Sequence, residues 1–118
     1  MLIKIAITAL VLTGCVNGTW TREDTYRQAA FTVLDVIDYS QTMNIAREPD
    51  KYKERNPFLG KHPSEAWVTG WFIGTYAVNT AIAMALPPEY RKWFQYISIG
   101  AEAGCVASNI SIGLGFGF

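Results

Sequence analysis

Three carboxylates in otherwise apolar surroundings are the first candidates for chemistry in this sequence. Asp35 and Asp38 lie within an apolar stretch of the first half, and Glu102 is the single charged residue after Lys92. A carboxylate is costly to place in an apolar medium, so such groups face protein, water or a partner. Their placement predicts a polar seam that holds helices together, and a proton or cation path is the sharper functional alternative.

Other polar residues extend this predicted seam along the same helical faces. Asp35 and Asp38 are three residues apart, so they share one side of a helix. A second polar face has steps of four, three and four residues and consists of Ser98, Glu102, Cys105 and Asn109. If Glu102 is buried near the aspartates, at least one carboxyl is expected to be protonated. The predicted seam has six members: Asp35, Asp38, Gln41, Asn79, Glu102 and Asn109.

Catalytic and metal-binding patterns are not visible in the sequence. There is no Ser/His/Asp or Cys/His arrangement, no phosphate loop and no nucleophile elbow, and the one histidine, His62, is interpreted as a surface loop residue. The two cysteines, Cys15 and Cys105, do not form a zinc-ligand cluster. Zero net charge without a basic patch argues against nucleic acid as a partner. We therefore expect a non-enzymatic protein without a metal or a bound cofactor.

Helices must position the seam, and the sequence predicts three of them, over 24–47, 66–86 and 89–114. Thr21 or Asp24 is suited to cap the first helix, and Pro87-Pro88 separates the last two. A loop rich in proline and glycine joins the first helix to the second. The predicted fold class is all-α, with a membrane helical hairpin formed by the last two helices after an amphipathic or membrane helix.

The last two helices are predicted to cross a membrane. The segment 66–88 has 23 residues without a charge, which is about 34 Å of helix against a hydrocarbon core of about 30 Å. Trp67 and Trp71 near its start suit the aromatic belt of a lipid interface. The run 93–114 is again long enough to cross.

Small residues form a stripe on each of these two helices. Gly70 and Gly74 are four residues apart on the second helix, as are Gly100 and Gly104 on the third. Small residues let helix backbones approach closely in lipid. The four glycines are therefore predicted to pack helices together, either within the hairpin or between copies of the chain.

The start of the chain carries a secretion and lipidation pattern. Lys4 is followed by an apolar run and then by Leu12-Thr13-Gly14-Cys15. This is the layout of a secretory signal, and Leu-Thr-Gly-Cys resembles the lipobox of bacterial lipoproteins. The resemblance implies a signal peptide over 1–14, a single helical membrane-associated domain over 15–118, and a covalent diacylglycerol and acyl lipid at Cys15. An ordinary signal or a short anchor with an incidental cysteine is the alternative.

The middle of the chain carries a second resemblance. Asp38 and Thr42 fit Asp-x-x-x-Thr in a first apolar helix, and Glu54 to Pro57 fit Glu-x-Asn-Pro in the loop that follows. Both patterns resemble a loose set of uncharacterised small bacterial membrane proteins, over roughly residues 34–86. The resemblance implies that the first helix also crosses the membrane, and it implies no activity.

Location and function follow from these patterns as expectations. We expect a lipid-anchored protein of the bacterial cell envelope, with the inner membrane favoured over the outer. Its partners are membrane lipid and either a second copy of the chain or another membrane protein. The favoured function is that of an envelope structural or interaction component. The alternatives are a small channel or transport accessory that uses the carboxylates, and a phage-type lipoprotein that bridges two membranes like a spanin or acts in exclusion.

Overall fold

The computed structural model describes residues 16–54 and 56–115, and these form three α-helices without a β-strand. The helices are α1, Arg22–Arg47; α2, Glu65–Ala85; and α3, Pro88–Ser111. The all-α prediction is confirmed for this part of the chain, and α3 ends at Ser111 rather than at 114. The predicted signal peptide, 1–14, and the predicted lipidation site, Cys15, lie outside the described residues.

Local sequence signals start each helix. The Thr21 hydroxyl accepts a hydrogen bond from the Asp24 N–H at 3.2 Å, and the Asp24 carboxylate accepts one from the Thr21 N–H at 2.9 Å. This reciprocal pair is a capping box, so both residues suited to cap α1 act there. Ser64 caps α2 by accepting from the Trp67 N–H at 3.1 Å, and Pro88 occupies the first turn of α3.

The connection between α1 and α2 is a loop built from side-chain turns. The Glu54 carboxylate accepts from the Asn56 N–H at 3.0 Å, and the Asn56 side-chain oxygen accepts from the Phe58 N–H at 3.0 Å. Gly60 has a φ of 80°, a conformation that glycine adopts without steric cost. Leu59 is buried in the apolar cluster between α1 and α2, which attaches the loop to the bundle.

The first helix, α1, is the central element of the bundle. It packs most extensively against α3 and less against α2, while α2 and α3 touch each other least. The apolar contacts form two clusters of buried residues: Met43, Leu59, Val68 and Phe72, and then Ile45, Tyr52 and Leu114. The interface between the last two helices, predicted as a close hairpin, is therefore the smallest of the three.

Polar side chains fill much of the interior. The buried polar residues in the described part of the chain are Asp24, Gln28, Asp35, Asp38, Gln41, Thr42, Arg91, Gln95 and Asn109. Large apolar side chains lie exposed on the outer faces of all three helices, among them Val33, Ile73 and Ile97. Because buried polar groups need hydrogen-bond partners, the α1–α3 interface is held largely by hydrogen bonds.

None of the helices in the described part of the chain is long and apolar enough to cross a membrane. In α2, Asn79 and several small and hydroxyl residues lower the mean hydropathy, and in α3 Arg91 and Glu102 do so. The same holds for Asp35 and Asp38 in α1. The structure therefore does not support the spanning part of the hairpin prediction, because interior-facing polar residues interrupt each apolar run.

The four glycines predicted to pack helices together lie open on the surface. A Cβ atom added at Gly70, Gly74, Gly100 or Gly104 would meet no neighbouring atom within 4 Å. Their faces point away from the helix contacts because the polar faces of α1 and α3 direct the packing instead. The contact predicted within the hairpin is not formed, and a contact with another copy of the chain stays a prediction.

Candidate functional site

The interface between α1 and α3 contains a hydrogen-bonded polar seam. The Asn109 amide nitrogen donates to the Asp38 carboxylate at 2.8 Å and to the Gln41 side-chain oxygen at 3.0 Å. The Thr42 hydroxyl donates to the same Asp38 oxygen at 3.2 Å. All four side chains are buried, and a hydrogen bond is electrostatically stronger in such a medium than in water. The Asp38 carboxylate therefore ties the two helices together.

A second carboxyl group, that of Glu102 on α3, hydrogen-bonds Asp38. Two carboxyl groups can share such a bond only when one of them is protonated. Burial, followed by the hydrogen bond and the charge of Asp38, raises the pKa of Glu102 to about 9. Burial also raises the pKa of Asp38, although hydrogen bonds from Glu102, Asn109 and Thr42 act in the opposite direction. At neutral pH the pair therefore holds a proton.

One oxygen of this pair and the neighbouring carboxylate of Asp35 have no hydrogen-bond partner in the described part of the chain. Asp35 is 8% exposed and accepts no hydrogen bond there. Burial, followed by the charge of Asp38, raises the pKa of Asp35 to about 6. Oε2 of Glu102 is buried and also unpaired. Leaving a buried polar atom such as Oε2 of Glu102 unpaired costs about 1–3 kcal/mol, so binding of a ligand to this oxygen would offset that cost.

These carboxyl groups line a cavity of about 460 Å³. Its wall also includes Glu54 from the loop, Trp71 and Thr75 from α2, and Cys105 from α3. Cys105 lies exposed at the rim. Desolvation of its sulfur, followed by the charges of the neighbouring carboxylates, raises the pKa of this thiol to about 11. The free thiol is therefore a poor nucleophile at neutral pH.

Asn79, the sixth predicted member of the seam, lies in a separate polar contact. Its amide nitrogen donates to the Ser98 hydroxyl at 2.9 Å, and its side-chain oxygen accepts from the Gln28 amide at 3.4 Å. This contact joins α2 to both of the other helices. The structure therefore brings the other five predicted members together and leaves Asn79 outside their cluster.

A buried arginine lies toward the other end of the α1–α3 interface, where the sequence predicted only a polar turn. Arg91 is 0% exposed, and its guanidinium donates to the Asp24 carboxylate at 3.0 Å. It also donates to the carbonyl oxygens of Ala83 at 2.6 Å and Leu86 at 3.1 Å, at the C-terminal end of α2. A cation that satisfies the last carbonyls of a helix also interacts favourably with the helix dipole.

The same guanidinium fixes the segment that precedes α1. It donates to the carbonyl oxygen of Asn17 at 2.6 Å and to that of Thr19 at 3.0 Å. In addition, the Asn17 backbone N–H donates to the Met84 carbonyl oxygen at 2.7 Å. The N-terminal segment is therefore held against the C-terminal end of α2.

Asp24 completes this second cluster from α1. Burial alone raises the pKa of Asp24, but hydrogen bonds from Thr21, Arg91 and Arg27 outweigh burial and hold that pKa below its usual range. Gln95 of α3 donates to the Asp24 carbonyl oxygen at 3.0 Å. An ion pair with 0% and 3% exposed side chains thus sits at one end of the interface, away from the carboxyl cluster.

Regular spacing of polar residues is the signal that identifies these unpredicted positions. The α1 side of the interface repeats in steps of four and three residues: Asp24, Gln28, Phe31, Asp35, Asp38 and Thr42. The α3 side repeats in the same steps: Arg91, Gln95, Ser98, Glu102, Cys105 and Asn109. Apolar residues with this spacing form coiled-coil interfaces. Continuing the predicted α3 face upstream of Ser98 reaches both Gln95 and Arg91.

Comparison with known protein families, with curated protein sequences and with solved structures gives no match. The functional assignment therefore depends on the chemistry and geometry of the described residues. Two features of that geometry stand out: a carboxyl cluster with unpaired acceptors, and a polar interior beneath an apolar exterior.

Proposed function

We propose that this chain is a non-enzymatic lipoprotein of the bacterial cell envelope whose helical domain is an interaction component at the membrane surface. One observation carries the proposal: the helices bury polar side chains and expose large apolar ones. Ile73, Val78 and Ile97 are 66%, 58% and 70% exposed, whereas Gln41 and Arg91 are 0% exposed. An apolar surface of this kind marks contact with lipid or with another protein.

The lipid expected at Cys15 indicates which end of the domain faces the membrane. Asn17, two residues after Cys15, hydrogen-bonds the Met84 carbonyl oxygen at the C-terminal end of α2. Next to it, a Cβ atom added at Gly18 would lie 3.1 Å from Pro88 at the start of α3. Acyl chains on Cys15 would therefore leave the domain at the end where α2 turns into α3.

Aromatic residues of α3 lie exposed near the same end. Tyr90, Trp93 and Tyr96 are 64%, 61% and 48% exposed, and the rings of Trp93 and Tyr96 contact each other at a centroid distance of 6.2 Å. Tyrosine and tryptophan combine an apolar ring with a polar atom and are enriched at lipid–water interfaces. These residues support an orientation in which the turn between α2 and α3 enters the headgroup region beside the anchor.

In this arrangement the hairpin formed by α2 and α3 lies at the membrane surface and does not span the bilayer. Its connecting turn and the adjacent apolar faces contact lipid, and neither helix needs to cross the bilayer alone. The open glycines, Gly70 and Gly74 on α2 and Gly100 and Gly104 on α3, offer a close approach to a second copy or to another membrane protein. The inner membrane remains the favoured location.

Two alternatives receive less support. The carboxyl cluster favours a transport accessory, but the buried side chains of Arg91 and Gln95 fill the other end of the same interface, so the cluster does not open onto a path along it. A bridge between two membranes requires an extended chain between Cys15 and α2. The hydrogen bond from Asn17 to Met84 instead folds the N-terminal segment back onto the bundle.

Replacing Cys15 tests the proposed function. The wild-type chain is expected to incorporate labelled palmitate and to stay in the membrane pellet after an alkaline carbonate wash. The Cys15→Ser variant is expected to lose the label and to wash off, because surface contacts without an acyl anchor are reversible. Cys105→Ser is the matched control, since it removes the other cysteine and leaves the anchor in place.

Two results contradict the proposal. Wild-type protein without palmitate would remove the lipoprotein assignment. A Cys15→Ser variant that stays in the pellet after the wash would show that helices are inserted in the bilayer. Density-gradient separation of the two membranes tests the location, and recovery in the inner membrane fraction is expected.

A further inference from the structure

The cavity described above lies where the three helices and the loop between α1 and α2 meet, and several of its lining residues are acidic. Four of its lining residues are acidic: Asp35, Asp38, Glu54 and Glu102. None of the described residues that line it is a lysine, an arginine or a histidine. The buried arginine, Arg91, forms an ion pair with Asp24 at the other end of the α1–α3 interface. Buried carboxylates are costly unless a cation or a proton compensates them.

Three side chains of this cavity have the geometry of a metal-ligand set. Asp38, Glu102 and Cys105 each offer one ligand atom, and these atoms all lie within 4.8 Å of one another. Asp38 comes from α1, while the other two lie three residues apart on one face of α3. Zn²⁺ binds carboxylate oxygens at about 2.0–2.2 Å and cysteine sulfur at about 2.3 Å, so small side-chain rotations bring the three donors around one ion.

Unpaired acceptors in the same cavity favour the binding of a cation there. Asp35 is 8% exposed, lines the same cavity, and accepts no hydrogen bond in the described part of the chain. Oε2 of Glu102 is buried and also has no partner. If every carboxylate oxygen of an acidic cluster accepted a hydrogen bond from the protein, the cluster would need no ligand to be stable. This cluster does not meet that condition, because the Asp35 carboxylate and Oε2 of Glu102, itself one of the three donors, accept no hydrogen bond in the described part of the chain.

We propose that this cluster binds a divalent transition-metal cation, represented by Zn²⁺, through Asp38, Glu102 and Cys105, with Asp35 as a supporting carboxylate. The sulfur ligand disfavours Mg²⁺ and Ca²⁺, which take oxygen ligands. Hydrogen bonds from Thr42 and Asn109 hold the Asp38 carboxylate, as outer-shell groups do in metal sites. The ion joins α1 to α3, and the site does not depend on the lipid anchor proposed above.

Metal titration of the full chain tests this site. After removal of metal with a chelator, Zn²⁺ is added in competition with a chromogenic chelator, and unfolding is followed by temperature. One equivalent is expected to bind and to raise the midpoint of thermal unfolding, because a ligand that prefers the folded state stabilises it. Co²⁺ in place of Zn²⁺ is expected to give a thiolate-to-cobalt absorption band, which reports directly on Cys105.

Matched variants separate this site from adventitious binding. Glu102→Gln and Cys105→Ser are expected to weaken Zn²⁺ binding by at least about tenfold, since loss of even an outer-shell partner costs this much. Glu89→Gln, which removes an exposed carboxylate elsewhere on α3, is expected to bind like the wild type. Circular dichroism confirms that each variant is folded, and the wild-type Co²⁺ spectrum tests the ligand set without any substitution.

Three results overturn the proposal. The first is a wild-type chain that binds no stoichiometric Zn²⁺. The second is Zn²⁺ binding that both Glu102→Gln and Cys105→Ser leave unchanged. The third is equal competition by Mg²⁺ or Ca²⁺, which would remove the sulfur from the ligand set.

Discussion

Individual polar side chains decide how α1 and α3 recognise each other. Asp38 accepts hydrogen bonds from Asn109 and Thr42, and Asp24 accepts one from Arg91. A hydrogen bond to a charged group contributes about 1.5–3 kcal/mol, and a buried charge that loses its partner is strongly destabilising. A shift in the register of α3 along α1 would separate both sets of partners, so these residues specify one alignment of the two helices.

The ion pair between Asp24 and Arg91 predicts a defined dependence of stability on pH. Asp24→Asn is expected to lower the free energy of unfolding by about 3 kcal/mol at neutral pH, because Arg91 keeps a buried charge without its carboxylate. Native contacts hold the pKa of Asp24 below its usual range. A depressed pKa contributes stability above the unfolded value, about 3.9, and this contribution is lost as pH falls through the folded value.

Denaturant unfolding of wild type and Asp24→Asn across acidic pH measures this contribution. The difference in unfolding free energy is expected to be constant above about pH 5 and to shrink below about pH 4. Glu23→Gln removes an exposed carboxylate from the same first turn of α1 and is expected to change stability by less than about 0.5 kcal/mol. A difference that does not vary with pH would show that ionised Asp24 is not the partner of Arg91.

The second helix depends on neighbouring elements for its C-terminal end. Leu86 is followed directly by Pro87, so α2 has no glycine cap there. Its last carbonyls instead accept hydrogen bonds from the Arg91 side chain of α3 and from Asn17 before α1. An unsatisfied helix terminus is costly when buried, so these contacts couple the end of α2 to both other parts of the chain.

Arg91→Lys is expected to weaken the contacts that hold the C-terminal end of α2 against α3 and the N-terminal segment. A lysine retains the charge but not the planar fork that reaches Asp24 and the carbonyls of Ala83 and Leu86 together. We expect a loss of about 2–3 kcal/mol in unfolding free energy and faster amide hydrogen exchange over residues 16–20 and the last turn of α2.

Hydrogen exchange followed by mass spectrometry measures this release segment by segment. Lys92→Met is the matched control, because it removes an exposed neighbouring charge and leaves the buried contacts intact. Its exchange pattern is expected to match the wild type. Unchanged protection of the α2 terminus in Arg91→Lys would mean that the guanidinium contacts do not hold that end in solution.

The whole bundle presents an apolar exterior around a polar interior, and its principal extents are 48 × 31 × 24 Å. The exposed aromatic residues Tyr90 and Trp93 lie near the end at which the N-terminal segment contacts α2. Trp67, which is 50% exposed, lies at the start of α2 and therefore at its opposite end. The proposed membrane contact accordingly involves one end of the molecule and not its whole surface.

Vesicle partitioning of chains that carry Cys15→Ser tests this end-on orientation at the membrane without the lipid anchor. Adding Trp93→Ala is expected to lower the partition coefficient by about tenfold, since burial of a large apolar side chain contributes about 1.5–3 kcal/mol and about 1.4 kcal/mol corresponds to tenfold. Adding Trp67→Ala is expected to have a small effect. Equal losses from the two substitutions would contradict an end-on orientation.

Helix positions were predictable because their determinants are local. Thr21, Ser64 and Pro88 act within a few residues of where they occur, so the starts of α1, α2 and α3 follow from neighbouring residues. The carboxyl cluster was predictable from the unfavourable energy of placing Asp35, Asp38 and Glu102 in apolar surroundings. The prediction for the glycine stripes failed within the hairpin, because glycine permits a close contact and does not require one.

The sequence by itself determined the all-α class, the helix bounds to within a few residues and the gathering of most of the polar seam. Only the tertiary structure decided that α1 lies between the other helices, that Arg91 is buried against Asp24, and that Asn79 lies apart. The physical reason is that a capping or turn residue acts through its neighbours in the chain. The pairing of buried polar groups instead depends on residues some seventy positions away, and only packing brings these together.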